Sequence, residues 1–443
     1  MKSSRFTPLF MFLMALSVVT AACAAGASPT VREEGTAQPA AAPGEPEAAE
    51  PATVPAGTAV PEEAAETPEP EPADTAVPAE PAEPATETPA EEPLPRGVER
   101  EFSTDFSKRS ISFSEILSGG PPKDGIPAID DPKFVTVAEA DEWLGDKEPV
   151  LVYQDGDTVR VYPYQILIWH EIVNDVVNGR PVAVTFCPLC NTGIVFDATV
   201  NGQRLEFGTT GRLRYSNLLM YDRQTESWWQ QAGGNAIIGE LLGTQLKFLP
   251  AVVLGWSEVK EAYPAAEVLS RDTGYSRNYG RNPYTGYDSI NSSPFLYDGP
   301  ATPGELPPMA RVTTVELGDE AAAYPNDVLQ EVKVVNDTVG GVDIVVFWTP
   351  GVASALGESE IAAGEDVGTT AVYERTLNGE ILTFVTDGET ITDEQTGSVW
   401  NILGQAVSGE LTGAQLTPVI KVDHFWFSWA AFRPDTRIYQ PEG

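Results

Sequence analysis

The sequence predicts an α+β, β-rich domain, internally duplicated and pseudo-symmetric, placed after a signal peptide and a disordered tether. Three observations predict it. Residues 150–190 align without a gap on residues 312–352; apolar runs are short and punctuated by Asp-Gly and Asn-Gly turns; and composition breaks abruptly near residue 97.

The chain opens with Lys2 and Arg5, and residues 6–22 carry no charge. The apolar run 9–19 is shorter than a bilayer span requires. Thr20, Ala21 and Ala22 then lead into Cys23, which resembles a lipobox. That resemblance implies cleavage before Cys23 and its acylation, hence an extracytoplasmic protein anchored to the cell membrane. The alternative is simple signal-peptidase cleavage near Ala22 or Ala24, giving a secreted protein. Residues 1–23 are therefore read as the signal peptide and lipobox.

Residues 24–97 read as an acidic, Pro-rich linker. Within 31–97 there are 15 of the 38 prolines, 16 acidic residues against 2 basic ones, and no aromatic side chain. Such a segment has too little apolar surface to offset its chain entropy, and self-repulsion keeps it extended.

Charge narrows the partners. The 443 residues carry 65 acidic against 27 basic side chains, a formal charge of −38. A surface of that sign repels phosphate backbones, so nucleic acid is not an expected partner. The expected partner is the membrane, through the lipid anchor; a small-molecule or protein partner is not specified. Two histidines and three cysteines exclude elaborate multi-histidine metal centres.

The folded part reads as a motif-bearing repeat over 98–300 and a degenerate repeat over 301–443. Gly156-Asp157, Tyr162-Pro163 and Val173-Asn174-Asp175 align with Gly318-Asp319, Tyr324-Pro325 and Val335-Asn336-Asp337. DRQTESWWQQAGGNAIIGELLGTQL from Asp222 aligns with DEQTGSVWNILGQAVSGELTGAQL from Asp393 with one deletion. In the first repeat, Thr136 and Glu139 form a capping box for a helix over 138–144 that Gly145 stops. Strands follow at 150–153 and 159–161 around Asp155-Gly156, then a helix with Pro163 at its first position and Leu167 and His170 on one face. Asn178-Gly179 turns the chain into the apolar strand 181–186, which runs into Cys187-Pro188-Leu189-Cys190.

That strand carries the candidate site. His170, on a helix leading through one tight turn into the strand, stands near Cys187 and Cys190. The aligned positions in the second repeat are Val332, Thr349 and Val352. Three readings compete. Two thiolates two residues apart with an imidazole suit one soft copper or zinc ion, with His424 or water as fourth ligand. The CxxC alone suits a thiol–disulfide pair tuned by His170. The third reading is a structural disulfide with a hydrogen-bonded histidine, in a non-enzymatic surface binding module.

Other residues read more plainly. His424 lies among Phe425, Trp426, Phe427 and Trp429 and aligns with Leu254, which suggests core packing. Glu171 falls on another helix face from His170 and reads as solvated, and Asp175 as a turn residue. Residues 208–223 lack a lysine and Walker spacing, so no nucleotide cofactor is expected, and Ser216 lacks a nucleophile elbow. Residues 275–288, with Tyr275, Arg277, Tyr279 and Arg281 on one side, read as an aromatic connector or a groove wall.

The run YPYQILIWHEIVNDVVNGRPVAVTFCPLCNTGIVFD, followed by RYSNLLMYDRQTESWWQQAGGNAIIGELLGTQL and YGRNPYTGYD, resembles the bacterial and archaeal family known as domain of unknown function 3179. The resemblance covers about residues 124–440 and puts His170, Cys187 and Cys190 in motif positions. It implies an exported or lipid-anchored protein without an established activity. Tyr263-Pro264 stands where similar proteins lead one to expect His-Pro.

Overall fold

A computed structural model describes residues 92–441. The segments read as signal peptide and linker, up to residue 91 and with Cys23 among them, lie outside the described residues.

The first repeat opens with a hairpin, β1 (Pro149–Asp155) and β2 (Thr158–Pro163), turned by Gly156 at φ 59°. Helix α1 (Tyr164–His170) leads into β3 (Ile172–Val177), β4 (Arg180–Cys187) and β5 (Thr192–Asp197). A second meander follows with β6 (Phe207–Arg214) and β7 (Asn217–Asp222), and β8 (Ala251–Gly255) returns to pair with β1. The second repeat repeats this order: β9 (Arg311–Leu317), β10 (Glu320–Pro325), α2 (Asn326–Val332), β11 (Val334–Val339), β12 (Val342–Thr349), β13 (Thr369–Glu374) and β14 (Lys421–Phe425).

Register establishes the duplication more firmly than element order. Val150 pairs with Pro163 and Asp155 with Thr158; Val312 pairs with Pro325 and Leu317 with Glu320. Ile172 pairs with Thr185, and Val334 with Phe347. Polar pins recur as well. Tyr162 donates to Asp175 and Tyr324 to Asp337, both at 2.7 Å. Trp229 donates to Asp222 and Trp400 to Asp393, both at 2.9 Å. Buried polar groups must be satisfied, so these pairs hold the strands in one register.

The repeats share cores. Val150, Leu254 and Trp256 pack with Phe347, Tyr373 and Phe384, while Val422 packs in the cluster that contains Cys187 and Cys190. Each repeat supplies apolar side chains that the other cannot bury alone, so the pair forms one body.

Several expectations need correction. The capping box of Thr136 and Glu139 is present, but its helix is only Val137–Ala140. Pro163 caps α1 instead of occupying its first turn. Asp175 lies within β3, where the Tyr162 hydroxyl holds it; it is not a turn residue. The stretch 208–223 is a hairpin with a shortened counterpart, Phe384–Thr386 and Ile391–Asp393. The end of the linker also belongs to the fold. Glu92 accepts from Arg109 at 2.8 Å and from the Phe113 amide at 3.0 Å, and Leu94 packs on the core around Phe113.

Candidate functional site

Strand β4 delivers Cys187 to its end, where Pro188 starts a 3-10 turn, Pro188–Cys190. Asn191 closes that turn in the left-handed region, at φ 54° and ψ 39°. Asn tolerates this conformation better than most residues, which accounts for its place after the CxxC. The turn brings the two sulfurs to 3.0 Å; both cysteines are free thiols and buried. The Asn217 side-chain amide donates to the Cys190 sulfur at 3.2 Å, and the Ser216 carbonyl lies 3.6 Å from the same sulfur. Asn217 is itself fixed by Gln231 at 3.0 Å and by the Ala232 amide at 3.0 Å.

Helix α1 ends at His170, and Glu171 follows at φ 59°. The positive φ turns Glu171 off the helical periodicity, so its side chain is buried, at 8 % exposure, and is not solvated as its place on the helix suggests. Its carbonyl accepts from the Phe186 amide at 2.8 Å, one residue before Cys187. Burial pushes the Glu171 carboxyl up to about 8. Burial likewise pushes the Cys187 thiol well above its usual range, and Cys190 and then Glu171 add to the rise. Glu171 also acts electrostatically on Tyr284 of the connector.

The imidazole of His170 is engaged elsewhere. Its Nδ1 bonds the Pro127 carbonyl at 2.7 Å and its Nε2 meets the Tyr279 hydroxyl at 2.7 Å. A carbonyl accepts only, so Nδ1 carries the proton and Nε2 accepts from Tyr279. Burial lowers the basicity of His170, and Arg277 adds to the fall. The histidine thus pins the connector to the first repeat, and the alternation of Tyr275 and Tyr279 reads as the other side of that pin.

His424 approaches the cysteine loop from the second repeat. The Thr192 hydroxyl donates to the Cys190 carbonyl at 3.1 Å and accepts from His424 Nδ1 at 2.8 Å. His424 Nε2 is buried without a hydrogen-bond partner. Burial drives this imidazole down to about 3, so it is neutral at physiological pH. Among the described residues, no three His, Cys, Asp or Glu side chains are grouped so as to hold a metal ion.

The connector roofs the pair. The Tyr287 hydroxyl donates to the Leu189 carbonyl at 2.9 Å, and Ser216 donates to the Phe295 carbonyl at 2.6 Å. Tyr284 and Tyr287 pack on the core that includes both cysteines. A cavity of about 40 Å³ beside Asn191 is lined by Tyr164, Arg311, Asn326, Ser354 and Asp423 from both repeats. A larger one of about 410 Å³ is lined by Tyr263, Tyr373, Gln405 and Gln415. Neither is lined by residues 208–223 or 275–288.

The sequence reading missed Glu171, Asn217 and the two roofing tyrosines. One signal pointed to Glu171: where the second repeat has Thr349 and Val352 for the cysteines, it has Lys333 for the glutamate. The chain matches no curated protein and no solved structure. Residues 123–436 match the family described as protein of unknown function (DUF3179), and the chain belongs to that family.

Proposed function

We propose that Cys187 and Cys190 form a reversible thiol–disulfide pair, acting on a thiol or disulfide partner outside the cytoplasm. The observation that carries this reading is the 3.0 Å approach of two free sulfurs across one tight turn. Two sulfurs on one tetrahedral zinc, with bonds near 2.3 Å, would stand about 3.8 Å apart. The observed approach is tighter than a shared zinc gives, and a further movement of about 1 Å would close an S–S bond of about 2.05 Å. The Asn217 amide supports the same reading, because a side-chain N–H aimed at Cys190 stabilises a thiolate or a departing sulfur.

The sequence supports the address: an acylated Cys23 would hold the domain at the outer face of the cell membrane, where disulfides persist. Soft-metal binding by Cys187 and Cys190, joined by His170 or His424, is the second reading, favoured by the buried and unpartnered Nε2 of His424.

One experiment separates the readings. Full-length protein is purified without reductant, assayed for copper and zinc, then equilibrated in dithiothreitol buffers of graded redox poise before alkylation. The thiol–disulfide reading expects both thiols to open and close together at a defined poise, with no stoichiometric metal. Stoichiometric metal, released only on removal of a cysteine, would overturn it in favour of the second reading. A bond that never opens while the fold persists would leave a structural disulfide.

A further inference from the structure

The duplication brings equivalent strands together twice. Strand β8 of the first repeat packs on β13 of the second, and β14 of the second packs on β5 of the first. The two contacts are finished differently. Where β14 meets β5, Phe248 pairs with Phe196, and their rings stand edge to face with centroids 4.9 Å apart. On the β14 side, Arg433 holds Glu316 in a salt bridge at 3.1 Å. Where β8 meets β13, Pro418 pairs with Tyr373 in the matching register, and Tyr263 and Gln154 align with Arg433 and Glu316. Proline reaches less far than phenylalanine, and tyrosine with glutamine forms no ion pair. The cavity of about 410 Å³ opens there, between Val252 and Tyr263 of the first repeat and Tyr373 and Pro418 of the second. Small-molecule sites span about 300–1,000 Å³. The matching contact shows that the frame accepts a phenylalanine at this place, so the opening comes from the substitutions and not from the topology.

The lining sets the class of ligand. In a chain of formal charge −38, no carboxylate is among the described residues that line this cavity. Its one cation, Lys421, is already neutralised: the ammonium lies 2.5 Å from Asp423, and the side chain is 5 % exposed. A charged ligand would therefore enter without a free counter-charge. A wholly apolar one would cover the amides of Gln154, Gln405 and Gln415 and return no hydrogen bond. An amide side chain presents a donor and an acceptor together, as a hydroxyl group does. Gln415 is fixed in place, since its nitrogen donates to the Leu403 and Leu416 carbonyls at 2.9 and 3.1 Å, which leaves its oxygen to accept. Tyr263 and Tyr373 add ring surface, apolar on the face and polar at the tip. A sugar ring, with C–H faces and a rim of hydroxyls, complements both kinds of surface. We propose that this cavity between the repeats is a binding site for a neutral saccharide. It is separate from Cys187 and Cys190, neither of which lines it.

The test is saturation-transfer NMR on full-length protein with two neutral disaccharides, cellobiose and N,N′-diacetylchitobiose, and with 2-naphthol as an apolar probe. At least one disaccharide should receive saturation at its ring protons, with an affinity that titration measures. Pro418→Phe restores the side chain of the matching contact and should weaken that binding about tenfold or more, a loss of at least about 1.4 kcal/mol. Tyr263→Ala should weaken it as well. Binding of neither disaccharide to the native protein overturns the proposal, and binding of 2-naphthol alone makes the cavity an apolar site instead. Disaccharide binding that is unchanged in both variants also overturns it, since the sugar then sits elsewhere. If Pro418→Phe does not fold, Gln405→Ala, at an exposed position of the rim, takes its place: weaker binding supports the site and unchanged binding overturns it. None of these outcomes depends on whether Cys187 and Cys190 form a redox pair.

Discussion

Glu171 and Lys333 end equivalent helices at nearly the same positive φ, 59° and 58°, yet their side chains meet opposite surroundings. Glu171 is buried next to the strand that delivers Cys187, whereas the Lys333 ammonium lies 4.5 Å from the centroid of the Trp348 ring. A cation over an aromatic face is favourable and stays near water. A carboxyl in an apolar site is costly once ionised. The same backbone cap therefore holds a solvated cation in one repeat and a strained acid in the other.

That strain has a pH signature. The Glu171 carboxyl is held near 8 in the fold, against an ordinary value of 4.5. Its contribution to stability is complete below about pH 4.5 and is lost as pH rises towards 8, because the unfolded chain releases the proton first. Glu171→Gln should remove this dependence, so the variant gains on the native protein by a few kcal/mol between pH 5 and pH 8. Urea denaturation of both proteins at those two pH values measures it.

The duplicated frame was legible in the sequence because register is local. Turn residues at Gly156 and Gly318 and the Tyr-Pro and Val-Asn-Asp blocks align strands whose pairings differ only by a constant offset. Cys187 and Cys190 were legible for the same reason, since three residues and one turn decide their approach. The environment of Glu171 was not. A helical wheel assigns it to solvent, and only the left-handed cap reverses that assignment. The hydrogen-bond partners of His170 were not legible on similar grounds: Pro127 and Tyr279 come from segments 43 and 109 residues away, and no helical or strand period reports on such loops.

The paired tyrosines offer an internal comparison. Asp175 accepts from the Val176 amide at 2.7 Å through one oxygen and from Tyr162 at 2.7 Å through the other, which otherwise has only Arg160 at 3.6 Å, beyond good hydrogen-bond geometry. Asp337 accepts from the Thr338 amide at 2.8 Å through one oxygen, and through the other from Tyr324 at 2.7 Å and Arg437 at 2.9 Å. Tyr162→Phe should cost about 1.5–3 kcal/mol, as for a buried hydrogen bond to a charged group. Tyr324→Phe should cost about half of that, because Arg437 remains. Equal denaturation midpoints for the two variants would contradict this account.

Where the linker ends decides what truncation does. Removing residues 24–91 should leave the melting temperature of the folded body unchanged. Extending the deletion through residue 97 removes Glu92, which organises Arg109, Ser112 and Phe113, and Leu94, which packs on their core. Burial of the leucine alone is worth on the order of 1 kcal/mol. The longer deletion should therefore melt lower, as scanning calorimetry of the two truncations would reveal.

His424→Leu tests the only imidazole that reaches the cysteine loop from the second repeat. Leucine is what the equivalent strand position carries, at Leu254, and both residues are fully buried. Near pH 7 the variant loses the bond to Thr192 and also removes an unpartnered buried nitrogen. The net change should stay within about 1 kcal/mol. Acid separates the proteins. The fold holds His424 neutral down to about pH 3, while the unfolded chain protonates it near 6.5. Native stability therefore drains away as pH falls between those values, because the unfolded state binds the extra proton. Other carboxylates titrate alike in both proteins and cancel in the comparison. Equilibrium unfolding at pH 7 and pH 4 should thus reverse the order, with the leucine variant the more stable at pH 4. No reversal would mean that the imidazole finds a proton-accepting partner within the folded state.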